Sequence, residues 1–303
     1  MKLSYQLVFS FLIFLLSSNY ASALIRIEST TQDLAAIASS VGGQYVSSAS
    51  LTKGTRDPHF AVAKPSMIRR VYKADLLLVI GADLEIGWLP LLLKSARNNK
   101  VQPGNSGYLD LSQSVKLLGI PDQAITRDMG DVHEKGNPHY WLDPRNGIKI
   151  AQAIAAQLTK IEPEHGDEFK ANADAFSNRL RARYLQWQKA LQPLKDKAVI
   201  SYHNSLMYLA DAFAFNIVAQ LEPKPGIAPS ATSLAHLMTV IKRENVSLLI
   251  METFYEQRSS AYLKQHSGIK TAIIPQSVGA KQGIDNYFDL FEDIVKQLTK
   301  GSQ

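Results

Sequence analysis

Three histidines lie in settings that would hold an imidazole ring in one place. His139 lies between two prolines, His59 directly follows a proline, and His203 follows a short apolar run. Because proline fixes its own φ and restricts the residue before it, the backbone beside His59 and His139 is stiffened. A rigidly held imidazole is typical of a metal ligand, although a lone loop histidine is more often a surface or hydrogen-bonded residue.

Glu252 is the carboxylate that we expect to join these histidines. Three neutral imidazoles and one carboxylate suit Zn²⁺ in tetrahedral geometry, and imidazole-rich sites favour zinc over manganese. The same ligands plus water would also suit a zinc hydrolase, with Glu252 as its general base. The chain has no His-Glu-x-x-His and no Gly-x-Ser-x-Gly motif, so binding is favoured over catalysis.

The candidate ligands fall near the ends of predicted β-strands. Strand and helix patterns alternate along the chain, which predicts an α/β fold with parallel sheets flanked by helices. Ligands of such sheets bind beyond the carboxyl ends of the strands. His59, His203 and Glu252 follow such strands, directly or after a loop. The strands concerned are predicted at 44–48, 198–202 and 247–251.

One long helix divides the chain into two α/β units. Apolar residues recur at steps of three and four, which places them on one helix face. A helix of nearly thirty residues is about 40 Å long, enough to run beside two lobes. We predict a first lobe at 24–162, a connecting helix at 163–193 and a second lobe at 194–303, with the site in the cleft between the lobes. The residues of the apolar face are Phe169, Ala173, Phe176, Leu180, Tyr184, Trp187 and Leu191.

Residues 1–23 have the pattern of an export signal. A basic start is followed by an apolar run and by the cleavage signature Ala21-Ser-Ala23. The run is too short to span a bilayer comfortably, so we predict cleavage near Ala23, with an uncleaved anchor as the alternative. The sequence has no cysteine, so we expect neither disulfides nor lipidation, and a soluble protein in the periplasm.

The charge pattern gives no sign of nucleic-acid binding. The net charge is +6, and no run of five basic residues occurs. A protein that binds a phosphate backbone would carry its basic residues clustered on one face or helix. We therefore expect no nucleic-acid partner.

Several motifs, taken together and in order, resemble the periplasmic zinc/manganese-binding proteins of ABC importers. The match covers essentially the whole chain after residue 23. The pattern Pro-His-x-Trp-x-Asp-Pro of that family occurs at 138–144. The other matching pieces are Gly42-Gly43, Asp57-Pro-His59, Pro65-Ser66, Ala74-Asp-Leu76, Gly81-Ala-Asp-Leu-Glu85, Tyr202-His-Asn204 with Tyr208-Leu-Ala210, and Ile250-Met-Glu252.

The resemblance implies two lobes joined by one long helix, with a single metal bound in the cleft. It also implies delivery to an ABC-type permease in the inner membrane that is powered by a separate ATPase. By position, His59, His139 and His203 match the first three ligands of the family. Members of the manganese type have a carboxylate at the third place, so His203 favours Zn²⁺ as the transported ligand, with Mn²⁺ as the alternative.

The sequence departs from the family pattern at the fourth ligand. Many members place an aspartate after the last strand, where this chain has Gln276, a weak ligand for zinc. Glu252 or a water molecule would then fill the place. Glu252 has a second interpretation, as a residue that hydrogen-bonds a ligating histidine.

A second departure lies before His139, where zinc-type members often carry a long loop rich in His, Asp and Glu. This chain has only a short segment there, with Asp131 and His133. A solvated loop is its simplest interpretation, and a weak accessory site that escorts metal inward is the alternative. The other histidines, His165, His236 and His266, are predicted to lie on the surface.

These observations favour a monomeric binding protein, not an enzyme, that captures Zn²⁺ in the periplasm for transport. A manganese or iron importer component, an adhesin-like role and a zinc-dependent periplasmic hydrolase are the alternatives.

Overall fold

The computed structural model describes residues 24–123, 133–224 and 226–302. The first half of the chain forms a four-stranded parallel sheet with the order β2-β1-β3-β4. Its strands are β1 (Ile25–Ser29), β2 (Val46–Ser50), β3 (Leu76–Val79) and β4 (Tyr108–Asp110). Its helices are α1 (Gln32–Gly42), α2 (Pro65–Lys73), α3 (Leu89–Ala96) and α4 (Pro144–Ile161).

The long helix α5 spans Gly166–Ala190, 25 residues, or about 37 Å. It begins three residues later than predicted, because Pro163–His165 form a separate 3₁₀ turn. Asp167 and Glu168 in its first turn offset the positive end of the helix dipole. The buried residues of α5 include most of the predicted apolar face. The spacing of the apolar residues therefore predicted correctly which side of the helix is buried.

The second half forms another four-stranded parallel sheet, with the order β6-β5-β7-β8. Its strands are β5 (Ala198–Ser201), β6 (Asn216–Gln220), β7 (Leu248–Glu252) and β8 (Lys270–Ile274). Its helices are α6 (Met207–Phe213), α7 (Ala231–Arg243), α8 (Arg258–Ser267) and α9 (Tyr287–Ser302). The two sheets thus have equivalent strand orders, as expected for two α/β units joined by a helix.

Side chains of the central strands alternate between two cores. In β3, Leu76 and Leu78 join one core while Leu77 and Val79 join another on the opposite face. Strand β7 divides its residues in the same way. One of these cores contains residues of both sheets together with α4, α5 and α9. The two halves therefore share a continuous apolar interior along one side.

Hydrogen bonds also cross between the two halves. The indole nitrogen of Trp141 donates to the carbonyl of Gln276 at 2.9 Å. The buried carboxylate of Asp33 accepts from the backbone nitrogen of Val278 at 2.9 Å and from the hydroxyl of Ser277 at 2.5 Å. These contacts fix the loop that follows β8 against α1 and against the turn that contains Trp141.

Among the described residues, no helix is both long and apolar enough to cross a membrane. The predicted export signal at 1–23 lies outside the described residues.

Candidate metal centre

His59, His139 and His203 come together in space. Each offers one ring nitrogen, and these three atoms lie within 4.8 Å of one another. Nitrogens on one tetrahedral zinc would be about 3.3 Å apart, given Zn–N bonds of about 2.0–2.1 Å. Small side-chain movements would therefore bring all three onto a single ion. Because His59 and His139 belong to the first half of the chain and His203 follows β5 of the second sheet, the group lies between the two halves.

His59 lies in a 3₁₀ turn, Pro58–Phe60. The side chain of Asp57 caps this turn by accepting from the backbone nitrogen of His59 at 2.9 Å. The indole of Trp88 donates to the carbonyl of Pro58 at 3.1 Å. The loop is thus attached at two points just before the histidine, and only 4% of the His59 side chain is exposed.

His139 is held by the aromatic run that follows it. Tyr140, Trp141 and Leu142 are buried, and the Tyr140 hydroxyl donates to the carbonyl of Ile80 at 2.6 Å. Asp143 then caps α4 through the backbone nitrogen of Arg145 at 2.7 Å. This run thus anchors the loop in the core, and His139 itself is buried.

His203 follows β5 after a single residue, Tyr202. The ring of Tyr202 stacks on Tyr255 with centroids 4.1 Å apart, and its backbone nitrogen donates to Ile250 at 2.8 Å. The chain leaves the sheet at this point in a fixed direction. His203 is consequently buried at the carboxyl end of the sheet, with 5% of its surface exposed.

Each of the three histidines has a polar partner at Nδ1. His59 meets Asp57 at 2.6 Å, His139 meets Asn137 at 3.0 Å, and His203 meets Glu222 at 2.8 Å. All three partner atoms are side-chain oxygens that accept, so we assign the ring hydrogen to Nδ1. Nε2 then carries the lone pair, and it is this atom that would bind a metal.

The sequence indicates two of these three partners but not the third. Asp57 and Asn137 each lie two residues before their histidines, inside the motifs that drew attention to those histidines. Glu222 lies 19 residues after His203, in a turn-rich segment where sequence reasoning gave it no role. Only the fold, through the pairing of β5 with β6, brings it to the site.

The site is built to receive a positive charge. Burial, with the neighbouring histidines, holds the pKa of His139 well below its usual value, so its ring is neutral. Its Nε2 atom is buried and has no hydrogen-bond partner among the described residues. Burial lowers the pKa of His203, but the hydrogen bond that its ring donates to Glu222 and the charges of nearby carboxylates outweigh burial, and the pKa is raised. An unpartnered buried lone pair beside carboxylates fits a cation.

Glu252 lies close to this group but not in it. It is the last residue of β7, not the residue after the strand as predicted, and it is fully buried. One carboxylate oxygen accepts from the hydroxyl of Ser205, and the other has no partner in the part of the chain described. Burial raises the pKa of Glu252 to about 7.

Gln276, the other residue considered for the fourth place, is buried in the loop after β8. Its backbone carbonyl accepts the hydrogen bond from Trp141 at 2.9 Å. This contact gives Gln276 a part in joining the two halves.

The loop before His139 is not solvated throughout. Asp131 lies outside the described residues, but His133 is buried, with 9% of its surface exposed. Its Nε2 lies 3.0 Å from Nε2 of His59, and the two rings stack with centroids 5.1 Å apart. The expectation of a solvated segment is therefore wrong at His133. Hydrophobic patterning could not reveal this, because the burial comes from a contact with a distant loop.

The remaining histidines lie away from this group. His236 and His266 are exposed as predicted. His165 is only half-buried, because its ring stacks on Tyr45 with centroids 3.8 Å apart.

Residues 27–301 match the model of the ZnuA family, described as the periplasmic component A of a zinc-uptake complex. The chain belongs to this family. It is a substrate-binding component of a metal ABC importer, which implies a permease and an ATPase as partners, and it is not an enzyme. The resemblance stated from the motifs is thus confirmed for the family and for the two-lobed α/β fold.

Relatives within this group differ in the metal that their names carry. The manganese ABC transporter substrate-binding lipoprotein PsaA of Streptococcus pneumoniae is 24% identical, over 94% of this chain and 91% of its own length. The zinc-binding lipoprotein AdcA of the same species is 24% identical over 95% of this chain. The chain spans 58% of the length of AdcA.

Solved structures share the fold. A crystal structure of ZnuA superposes with a TM-score of 0.75 at 24% identity, covering 93% of this chain and all of that one. A Mn-bound periplasmic metal-binding protein from Candidatus Liberibacter asiaticus gives a TM-score of 0.75 at 17% identity, covering 92% of this chain and 99% of that one. At these identities the structures support the same architecture, and the choice of metal rests on the side chains of this chain.

Proposed function

We propose that this protein captures Zn²⁺ in the periplasm, holds it in the cleft between its lobes and delivers it to the importer's permease in the inner membrane. The observation that carries this proposal is the convergence of three buried imidazole nitrogens within 4.8 Å. The lobes are those predicted from the sequence, 24–162 and 194–303, with 163–193 between them. We propose that the protein acts as a monomer after cleavage of residues 1–23.

His59, His139 and His203 are the proposed ligands, and Glu252 is the proposed carboxylate of the site. Neutral imidazoles bring no charge to balance a divalent ion. Asp57, Glu222 and Glu252 are carboxylates with little or no exposure around the three rings, and their negative charges offset the charge of the ion. Asp57 and Glu222 act through the histidines that they hold, while Glu252 has one oxygen without a partner among the described residues.

Zinc is proposed over manganese because the converging atoms are nitrogens. Manganese favours carboxylate and carbonyl oxygens, whereas imidazole suits zinc, and zinc also stands well above manganese in the general affinity order. A manganese or iron importer is the alternative, supported by the similarity to PsaA, whose name carries manganese.

The test is the metal content of the mature protein, residues 24–303, purified without a tag. We expect one zinc per chain in the wild type, loss of this zinc in His203→Ala, and retention in the control His236→Ala, which changes an exposed histidine. Competition between Mn²⁺ and Zn²⁺ on the same samples would rank the two metals. Manganese retained in His203→Ala would contradict the proposal.

A further inference from the structure

His133 contacts the one nitrogen of His59 that is left for a metal. Because Asp57 occupies Nδ1 of His59, only Nε2 can bind an ion. Nε2 of His133 lies 3.0 Å from that atom. His133 therefore reaches the ring nitrogen through which His59 would bind a metal.

The two Nε2 atoms face each other as two ligands of one metal ion would, but they share a hydrogen instead of the ion. Since Nδ1 of His59 donates to Asp57, its Nε2 accepts, and Nε2 of His133 must be the donor. The shared hydrogen then lies where the lone pair of His59 points. Two imidazoles on one tetrahedral zinc have nitrogens about 3.3 Å apart, so the observed 3.0 Å is short of that separation by only about 0.3 Å.

His133 is held in place by the chain around it. A turn closes from the backbone nitrogen of Gly136 to the carbonyl of His133 at 3.2 Å. Gly136 has φ of 109°, a conformation that other residues rarely adopt. The ammonium of Lys135 pairs with Asp83 at 3.0 Å, and the next residue, Asn137, holds His139. The turn therefore links His133 directly to a ligand loop.

We propose that His133 supplies a fourth imidazole to the metal, an inference that rests on the proposed function. When the ion binds, the hydrogen on Nε2 of His133 leaves to solvent, Nδ1 gains one from solvent, and the ring stays neutral. Neither His133 nor Glu252 is part of the compact group of three. We place His133 ahead of Glu252 because His133 contacts Nε2 of His59 at 3.0 Å, whereas Glu252 accepts from the hydroxyl of Ser205. A set of four nitrogens increases the preference for zinc over manganese.

A cysteine substitution gives a direct test, because the chain contains no cysteine. His133→Cys and the control His236→Cys would each be loaded with Co²⁺, which reports its ligands through its absorption spectrum. We expect a thiolate-to-cobalt charge-transfer band in His133→Cys and none in His236→Cys. Absence of the band in both variants, with Co²⁺ bound at one per chain, would overturn the inference.

Affinity measurements separate a ligand from an outer partner. We expect His133→Gln to bind one zinc at least about 100-fold more weakly than wild type, the upper end of the effect of losing a residue outside the coordination sphere. Affinity for Mn²⁺ should change much less. A loss below tenfold with an unchanged Co²⁺ spectrum would overturn the assignment of His133 as a ligand. Thermal unfolding of the metal-free variants would show that each is folded.

The proposed function and this inference fail in different ways. If the wild type bound no metal, or if His139→Ala kept full affinity, the proposed function would fail. If His139→Ala lost the metal while His133→Gln matched the wild type, only the role of His133 would fail.

Discussion

Nδ1 of His203 lies 2.8 Å from a carboxylate oxygen of Glu222, and both side chains are buried. The second contact of that oxygen is the backbone nitrogen of Gly226, at 3.2 Å. The carboxylate is thus fixed by the loop after β6, and it in turn fixes the orientation and the tautomer of the His203 ring.

Replacing Glu222 with Gln should weaken zinc binding by about 10- to 100-fold, as loss of such an outer carboxylate does in other metal sites. The amide can still accept a hydrogen bond, but it carries no charge to support the ion. Competition with a chromophoric chelator would measure the change. Glu244→Gln, at an exposed position, is the control, and equal affinities for the two variants would contradict the prediction.

Replacing Glu252 with Gln should also weaken zinc binding by no more than about 100-fold if His133 fills the fourth place. At the same time, the metal-free protein should not lose stability at neutral pH, because the change removes a charge that burial disfavours. The chelator assay and thermal unfolding would be carried out on Glu252→Gln and on the control Glu256→Gln, which changes an exposed residue. A much larger loss of affinity would make Glu252 a direct ligand instead of His133.

Asp33 should make the metal-free protein less stable as the pH rises. Burial raises its pKa from 3.8 to about 6 despite hydrogen bonds from Ser277 and Val278. Between these values the folded state binds more protons than the unfolded state, so the free energy of unfolding falls as pH increases. The rise from 3.8 to about 6 corresponds to at most about 3 kcal/mol.

Asp33→Asn should lack this contribution. Urea unfolding at several pH values between 4 and 7 would show the wild type losing stability relative to Asp33→Asn as the pH rises. Asp174→Asn, at an exposed position of α5, should follow the wild type instead. Parallel pH profiles for the wild type and Asp33→Asn would show that Asp33 does not titrate in this range.

Zinc should raise the melting temperature because it binds only the folded cleft. A ligand at a hundred times its Kd stabilises the folded state by about 2.7 kcal/mol, which is roughly 5–10 °C for a protein of this size. Differential scanning calorimetry with zinc and after chelation would measure the shift. His139→Ala should melt at the same temperature in both conditions, and a zinc-dependent shift in that variant would place the binding elsewhere.

The proposed ligand histidines could be found from sequence because their settings are local. Prolines beside His59 and His139 and the strand before His203 are visible in the order of residues. The sheets could also be anticipated, since the apolar run of β3 is typical of a strand covered on both faces. The boundaries moved by a few residues where caps decided them. Helix α7, for example, begins after Ser230, whose hydroxyl accepts from the backbone nitrogen of Ser233.

The hydrogen-bond partners of the proposed ligands could be found only in part, because some depend on distant segments. Glu222 and the buried ring of His133 meet the site through contacts across 19 and 74 residues of chain. The spacing of apolar residues along the sequence does not indicate contacts of this kind. The sequence likewise gave no reason to expect the carboxylate of Asp33 to be buried against the loop after β8.

The side chains of His59 and His203 are only 4% and 6% exposed, and His139 as a residue is 1% exposed. An ion among them cannot exchange its ligands for water until the protein above it moves. Its residence time is then governed by how often the cleft opens, and different ions should depart at similar rates once bound. One site can therefore bind its ion tightly and still release it rapidly. A permease that separates the lobes would accelerate release of the ion without weakening the metal–nitrogen bonds.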